Sequence, residues 1–266
     1  MRSLRLFPKM GLFLAANALL AGALLAGIMP ALAQETLTQA EHEQQYDACM
    51  VLVQRDPASA LESAIEWEKQ DGGDAAKHCQ ARALVGLQRF EDAALLLERI
   101  AQTLPQVKAG TASEVFAQAG YAWRLAGKNQ LALHDFNEGL KLNPQNAELL
   151  VDRANLYGEN GMFFEALDDL NAAVDLAPDR PDIYVFRAST YIDMEELELA
   201  NDNLEKALSL APDFPEALLQ RGRLRALEGN ADAARQDLMQ ILEIAPRSAA
   251  AEAAQRQLEK LDIKPE

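Results

Sequence analysis

The sequence predicts an all-α fold built from repeats, and three observations carry that prediction. Four consecutive blocks of 34 residues run from Ser113 to Ser248 without an insertion or deletion between them. The eighth and twentieth residues of every block are small, and the thirty-second is always proline. Small residues suit helix faces that touch, and a proline cannot continue a helix. The period therefore indicates a solenoid, in which each unit buries its apolar surface against its neighbours.

The recurring residues carry a resemblance to a known family. They are Gly120, Ala154, Ala188 and Gly222 at position eight, Ala132, Ala166, Ala200 and Ala234 at position twenty, Phe136, Leu170, Leu204 and Leu238 at position twenty-four, and Pro144, Pro178, Pro212 and Pro246 at position thirty-two. This pattern resembles the tetratricopeptide repeat family, whose unit is a pair of antiparallel helices. The resemblance implies a right-handed α-solenoid of about six helix pairs with a C-terminal capping helix.

The pattern continues upstream in a weaker form. One block fits from Asp74 and another fits loosely from Glu41, so residues 34–112 are expected to hold two divergent repeats before the four regular ones at 113–248. Five extra residues, 108–112, separate the two sets. Residues 249–266 are expected to form the capping helix and a tail, because the last repeat would otherwise expose its apolar face.

The turn inside each regular block contains glycine in three of the four cases. Gly127, Gly161 and Gly229 occupy it, whereas Glu195 stands there in the third block. Glycine reaches left-handed backbone angles freely, and glutamate does not. We therefore expect either a strained residue or another type of turn at Glu195.

The first 33 residues resemble a secretory signal. Three basic residues precede an uncharged run from Met10 to Met29, and the small residues Ala31 and Ala33 form a cleavage site before Gln34. This order is typical of export, so we expect a mature chain in the periplasm of a Gram-negative bacterium. The alternative is an uncleaved signal that anchors the chain in the inner membrane, since the apolar run is long enough to span it.

The charge of the chain bears on its partners. The whole chain has 25 Lys and Arg against 41 Asp and Glu, and removing the three basic residues of the signal leaves 22. This excess of acid disfavours nucleic acid and anionic lipid, because both repel a negative surface. Two interpretations stay open. The charge serves solubility alone, or it favours a basic protein or peptide partner.

A row of charged residues recurs at intervals of 34. The row consists of Arg153, Arg187 and Arg221 on first helices and of Asp135, Asp169 and Asp237, with Asn203 in register, on second helices. Each arginine precedes a residue of the second set by sixteen positions in the same block. We interpret the row as partly buried pairs that hold the two helices of one repeat together. Removing one partner of such a pair would leave an uncompensated charge.

The two cysteines fall on the first helices of the two divergent repeats. Because these helices should lie side by side, Cys49 and Cys79 are expected to form a disulfide in an exported chain. The alternatives are free thiols, a redox pair, or a metal site with His42 and His78. No short Cys-x-x-Cys or His-x-x-x-His spacing supports the metal site.

The family resemblance also implies a binding surface. In the family, first helices line a concave groove whose outward residues recognise extended or helical peptides. Carried onto this chain, the groove comprises Tyr121, Arg124, Glu148, Val151, Asn155, Glu159, Val185, Ser189, Asp193, Leu219 and Arg223. The best-known form of the groove clamps a terminal carboxylate with lysines, arginines and asparagines. Here only Asn155 of that set is present, and Val151 stands where a clamp lysine would be, which argues against chaperone-tail recognition.

No residue pattern in the sequence points to catalysis. His134 is alone on a second helix, and neither a Gly-x-Ser-x-Gly elbow nor a glycine-rich loop after a strand is present. We therefore expect a non-enzymatic periplasmic adaptor that needs no cofactor or metal and binds envelope proteins through the groove. The alternative is a structural accessory subunit of a cell-envelope complex, attached through the divergent repeats.

Overall fold

The computed structural model describes residues 39–104 and 108–262, so the predicted signal at 1–33 lies outside the described residues. This part of the chain contains thirteen helices and no strand, which confirms the all-α prediction. The helices are α1 (Gln39–Arg55), α2 (Pro57–Lys69), α3 (Gly73–Gly86), α4 (Phe90–Thr103), α5 (Ala109–Leu125), α6 (Asn129–Leu142), α7 (Ala147–Glu159), α8 (Phe163–Leu176), α9 (Pro181–Asp193), α10 (Leu197–Leu210), α11 (Pro215–Leu227), α12 (Ala231–Ile244) and α13 (Ala249–Asp262).

Small residues allow the two helices of each regular repeat to approach closely. The alanines at position twenty, from Ala132 to Ala234, have no exposed surface. In the first and the last of these repeats, glycine at position eight faces the side chain at position twenty-four. A Cβ atom added to Gly120 would lie 2.5 Å from the ring of Phe136, which is larger than the leucine found in the other repeats. The first regular repeat therefore requires glycine at this position.

The turn at Glu195 has the same backbone conformation as the glycine turns. The φ angle of Glu195 is 63°, close to 71° at Gly127 and 74° at Gly161. The helix register, set by packing on both sides, therefore forces a left-handed conformation on a residue that disfavours it. Of the two outcomes expected from the sequence, the structure shows the strained residue.

The second helix of the first repeat begins with a side-chain cap. Asp56 caps α2, since its Oδ1 accepts a hydrogen bond from the backbone N–H of Ser59 at 3.1 Å, and Pro57 occupies the first turn. Four of the five extra residues, 109–112, lie within α5 and extend it to 17 residues, against 13 for α7. The insertion thus lengthens a first helix rather than forming a separate loop.

First helices lie next to first helices along the array. The backbones of α1 and α3, α5 and α7, α7 and α9, α9 and α11, and α11 and α13 are in close contact. The backbones of α3 and α5 lack such close contact, whereas α4 packs extensively against α5. The N-terminal repeats therefore meet the regular array through a junction of a different geometry, formed by α3 and α4 on one side and α5 and α6 on the other.

The last helix closes the C-terminal end as expected. Ala250, Ala251 and Ala254 of α13 are buried against Leu218, Leu238 and Ile241 of the final repeat. Among residues 39–104 and 108–262, no helix combines the length and the apolar character needed to cross a bilayer.

Candidate functional site

A cleft of about 570 Å³ lies along the inner surface of α7, α9 and α11 and is lined at one end by a residue of α5. Seven of the eleven residues predicted for the groove line it: Arg124, Asn155, Glu159, Val185, Ser189, Asp193 and Leu219. They come from four successive first helices because residues 34 apart in the sequence repeat on the same face of the solenoid. These seven positions thus meet in one cavity, whereas Tyr121, Glu148, Val151 and Arg223 do not line it.

The sequence did not single out the rings that line this cleft. Phe186 of α9 and Phe214, which directly precedes α11, lie beside Val185 and Leu219 and give it an apolar lining. Gly158 of α7 leaves room above them. Phe186 was identifiable from its position, one residue after Val185 on the inner face of its helix. Phe214 was not, since it lies in the turn between repeats.

Two of the predicted groove residues are buried, and for one of them this corrects the prediction. Val151 is 3% exposed and packs in the core with Leu150 and Ala154. Its side chain is therefore part of the core and not of the groove surface. Val185 is 6% exposed, and that small area forms part of the cleft lining. Tyr121 is 41% exposed and lies beneath the guanidinium of Arg124, whose Cζ is 5.3 Å from the ring centre.

The carboxylates predicted to attract a basic partner are each paired with an arginine. Glu159 Oε1 lies 2.7 Å from Arg124 Nη1, Asp193 Oδ1 lies 2.6 Å from Arg223 Nη2, and Glu148 Oε2 lies 2.7 Å from Arg180 Nη1. Glu159 and Asp193 are each paired with an arginine of an adjacent repeat, and Arg180 directly precedes α9, the first helix of the repeat after Glu148. These exposed pairs join neighbouring repeats across the inner surface and cancel much of its local charge.

Two other carboxylates supply negative charge at the cleft. Asp182 and Glu216 lie in the first turns of α9 and α11 and line the cleft at that end. Asp182 is paired with Arg180, and no ion pair of Glu216 is present in the described part of the chain. The first helices therefore present an acidic end near their N-termini and an apolar lining beyond it.

Asp152 of α7 adds a titratable group to the inner surface. Burial and the nearby Glu148 raise the pKa of Asp152 to about 6, while Arg124 and Arg180 act in the opposite direction. The sequence gave no indication of this residue, because the largest cause of its shift is burial, which depends on how the helices pack. The inner surface consequently loses negative charge as the pH falls below about 6.

The recurrent arginines form the predicted pairs and reach further than predicted. Arg153 donates from Nε and Nη2 to both carboxylate oxygens of Asp169, at 2.7 and 2.6 Å. Its Nη1 donates to Asn137 Oδ1 of the preceding repeat at 2.6 Å. Arg187 contacts Asn203 and Asn171 in the same way. These side chains therefore hold three helices together, which accounts for their period without a ligand.

The cysteines lie where the sequence places them. Cys49 of α1 and Cys79 of α3 have their sulfur atoms at disulfide-bonding distance and their Cα atoms 6.3 Å apart, within the usual range for a disulfide. The two histidines considered with them have other contacts. His78 is hydrogen-bonded to Tyr46 at 2.9 Å and to Gln118 at 2.7 Å, and His42 lies against the ring of Trp67.

Comparison with known sequences agrees with the repeat pattern. Residues 181–214 and 215–248 each match the family model of the tetratricopeptide repeat. No curated protein matches the chain.

Solved structures show the same architecture over most of the chain. PilF of Pseudomonas aeruginosa superposes with a TM-score of 0.61 at 13% identity, covering 81% of this chain and 97% of that one. The C-terminal part of a TPR repeat-containing protein from Cytophaga hutchinsonii gives 0.60 at 17% identity, covering 82% and 95%. YrrB, described as a TPR protein with an unusual peptide-binding site, gives 0.52 at 22% identity, covering 70% and 97%. At these identities the comparisons establish the fold alone.

Proposed function

We propose that this chain, which is a tetratricopeptide repeat protein, is a non-enzymatic adaptor that binds a peptide segment of a partner protein in the cleft of α7, α9 and α11. The fold is that of a protein-protein interaction scaffold. The observation that carries the proposal is the cleft itself, where residues predicted for the groove meet two phenylalanine side chains. YrrB, which shares the fold, is described as having a peptide-binding site, and this supports the choice of a peptide.

The lining of the cleft defines the segment that it fits. Phe186, Phe214 and Leu219 offer apolar surface to an apolar side chain of the peptide. Asn155 and Ser189 offer an amide and a hydroxyl that can bond a peptide backbone. Beside them, Glu216 favours a lysine or arginine at one end of the segment. The proposed ligand is thus an extended segment with one apolar side chain and a neighbouring basic residue.

The cellular setting is part of the proposal. The signal pattern at residues 1–33 and the cysteine pair at disulfide-bonding distance both suit an exported protein, which we place in the periplasm. An uncleaved signal would instead hold the same repeats at the inner membrane. The intact mass of the native protein separates the two, since cleavage before Gln34 removes residues 1–33.

The test compares one substitution on the two faces of a single repeat. Ser189 of α9 lines the cleft, and Ser209 of α10 is exposed on the second helix. Ser189→Arg would fill the cleft, whereas Ser209→Arg makes the same chemical change outside it. The probe is a phage library of random twelve-residue peptides selected on the mature wild-type chain. We expect selected peptides to combine an apolar with a basic residue and to bind Ser189→Arg at least tenfold more weakly, with Ser209→Arg unchanged.

Other outcomes identify other surfaces. If the selected peptides bind both variants as they bind the wild type, the cleft is not the binding site, and attachment through the divergent repeats becomes the better hypothesis. Salt and pH test the basic residue of the ligand separately. Binding should weaken as salt rises, and also between pH 7.5 and 5, where Asp152 takes up a proton. Binding that changes with neither salt nor pH would indicate that the ligand is an apolar peptide without a basic residue.

A further inference from the structure

A buried acid at the junction of the two sets of repeats lacks the partner that its equivalents have. Asp135 of α6 is 1% exposed. Its equivalents Asp169 and Asp237 each receive an arginine from the residue sixteen positions earlier. The residue sixteen positions before Asp135 is Ala119, which is itself buried. The first regular repeat therefore contains the buried acid but not the arginine that pairs with its equivalents Asp169 and Asp237.

A second carboxyl group takes the place of the missing contact. Glu98 of α4 lies within hydrogen-bonding reach of Asp135. In its block Glu98 has the same register as Asn137 and Asn171, the residues that contact arginines in later repeats. The indole N–H of Trp123 donates to Glu98 Oε1 at 2.6 Å. Oδ2 of Asp135 has no hydrogen-bond partner among the described residues.

The charges around this pair do not supply the missing base. On α6, Glu138 adds negative charge and is itself paired with Lys141. From α7, Arg153 is turned to Asp169 and Asn137. On α5, the Trp123 indole is bonded to Glu98. Burial and then Glu98 raise the pKa of Asp135 to about 8.

We propose that Glu98 and Asp135 share one proton at neutral pH, and that release of this proton to solvent loosens the junction between the N-terminal repeats and the regular array. Two ionised carboxyl groups in contact inside a protein repel each other, and a shared proton turns the repulsion into a hydrogen bond. The pair joins α4 to α6, at the position where α3 and α5 lack the close backbone contact of the other first helices. The pair therefore places a pH-sensitive contact at the junction between the N-terminal repeats and the regular array.

The direction of the effect follows from the two states of Asp135. Its pKa is higher in the folded chain than in the unfolded chain, so the folded state holds a proton that the unfolded state has lost. The stabilisation is complete at acid pH and is lost as the pH rises from about 4 towards 8. The unfolding equilibrium constant of the wild type, relative to Asp135→Asn, should rise by up to about tenfold per pH unit between pH 5 and 7 and level off above pH 8.

Trp123 provides a direct measurement because its indole is bonded to Glu98. In the mature chain carrying Trp67→Phe, the emission of Trp123 should titrate with a midpoint near pH 8. Asp135→Asn in the same background should abolish this transition, and Glu98→Gln should move it to lower pH. A flat emission between pH 6 and 9.5, or a transition that persists in Asp135→Asn, overturns the proposal. So does an unchanged midpoint in Glu98→Gln.

Hydrogen exchange tests the loosening separately. After correction for the intrinsic rate, the amides of α4 should exchange faster at pH 9 than at pH 6 in the wild type and equally at both in Asp135→Asn. The matched control is Asp237→Asn, since Asp237 is paired with Arg221 and Arg225 and, within the residues that the structure describes, has no carboxyl partner, so no pH-dependent change is expected there. Equal exchange at both pH values in the wild type would show that the junction does not open and would overturn that part of the proposal.

Discussion

The regular array and the N-terminal repeats join their helices in different ways. In the array, Arg153 reaches from its own repeat to Asn137 of the one before. In the N-terminal repeats the same register holds Gln80, which donates to Glu68 at 2.6 Å, and a cysteine pair lies between α1 and α3. Both regions keep small residues where helices touch. Close packing of small residues is therefore common to all the repeats. The polar or covalent link between their helices differs from one region to the other.

The largest expected effect on stability concerns the bond between Cys49 and Cys79. Replacing Cys49 and Cys79 by alanine, or reducing the native chain, should lower the free energy of unfolding of the N-terminal repeats by about 3 to 4 kcal/mol, because a bond across 30 residues restricts the unfolded chain. Urea unfolding with and without reductant measures this. Hydrogen exchange in α9 to α12 should not change, since these helices lie far from the bond. Free thiols in the native, unreduced protein would contradict the prediction.

The next largest effect concerns the ion pair between Arg153 and Asp169. Arg153→Met keeps most of the side-chain volume and leaves Asp169 buried without its base, so it should lower the free energy of unfolding by about 2 to 3 kcal/mol. The double variant Arg153→Met, Asp169→Leu should recover most of that loss. Strictly additive effects of the two single substitutions would show that the pair does not act as a unit. Asp135→Asn is the matched comparison and should cause no loss at pH 8, because Asp135 has no arginine to lose.

The smallest effect sharpens the comparison between the repeats of the array. Glu195→Gly should raise the free energy of unfolding by about 0.5 to 1 kcal/mol, since glycine adopts the left-handed angle found at this turn without strain. Gly161→Ala, in the equivalent turn of the preceding repeat, should lower it by about 1 kcal/mol. Thermal unfolding of the wild type, Glu195→Gly and Gly161→Ala measures both changes. A destabilising Glu195→Gly would mean that the glutamate side chain makes a contact worth more than the strain.

Much of the fold follows from the sequence because its signals are local and repeat. The period, the small residues at positions eight and twenty and the prolines predict the helix pairs of the array. Ala250 and Ala254 likewise indicate the capping helix. The turn at Glu195 shows where local preference is overruled, since packing of the flanking helices fixes a backbone angle that glutamate disfavours.

The candidate site was predicted less completely. The resemblance to the repeat family implied that Asn155, Ser189 and Leu219 belong to the groove, and all three line one cleft. It could not show that Val151 packs inward, or that Glu159 and Asp193 are neutralised by arginines of other repeats. Those outcomes depend on the distance and rotation between neighbouring helices.

The sequence by itself determined the repeat and the helix pairs, because both rest on spacing along one helix or on the interval between blocks. Only the tertiary structure decided which side chains meet across repeats. Glu98 and Asp135 are 37 positions apart and show no shared motif, yet they adjoin because Ala119 leaves the space that an arginine fills elsewhere. Which residue lies next to Asp135 in the absence of an arginine depends on how the helices pack in three dimensions.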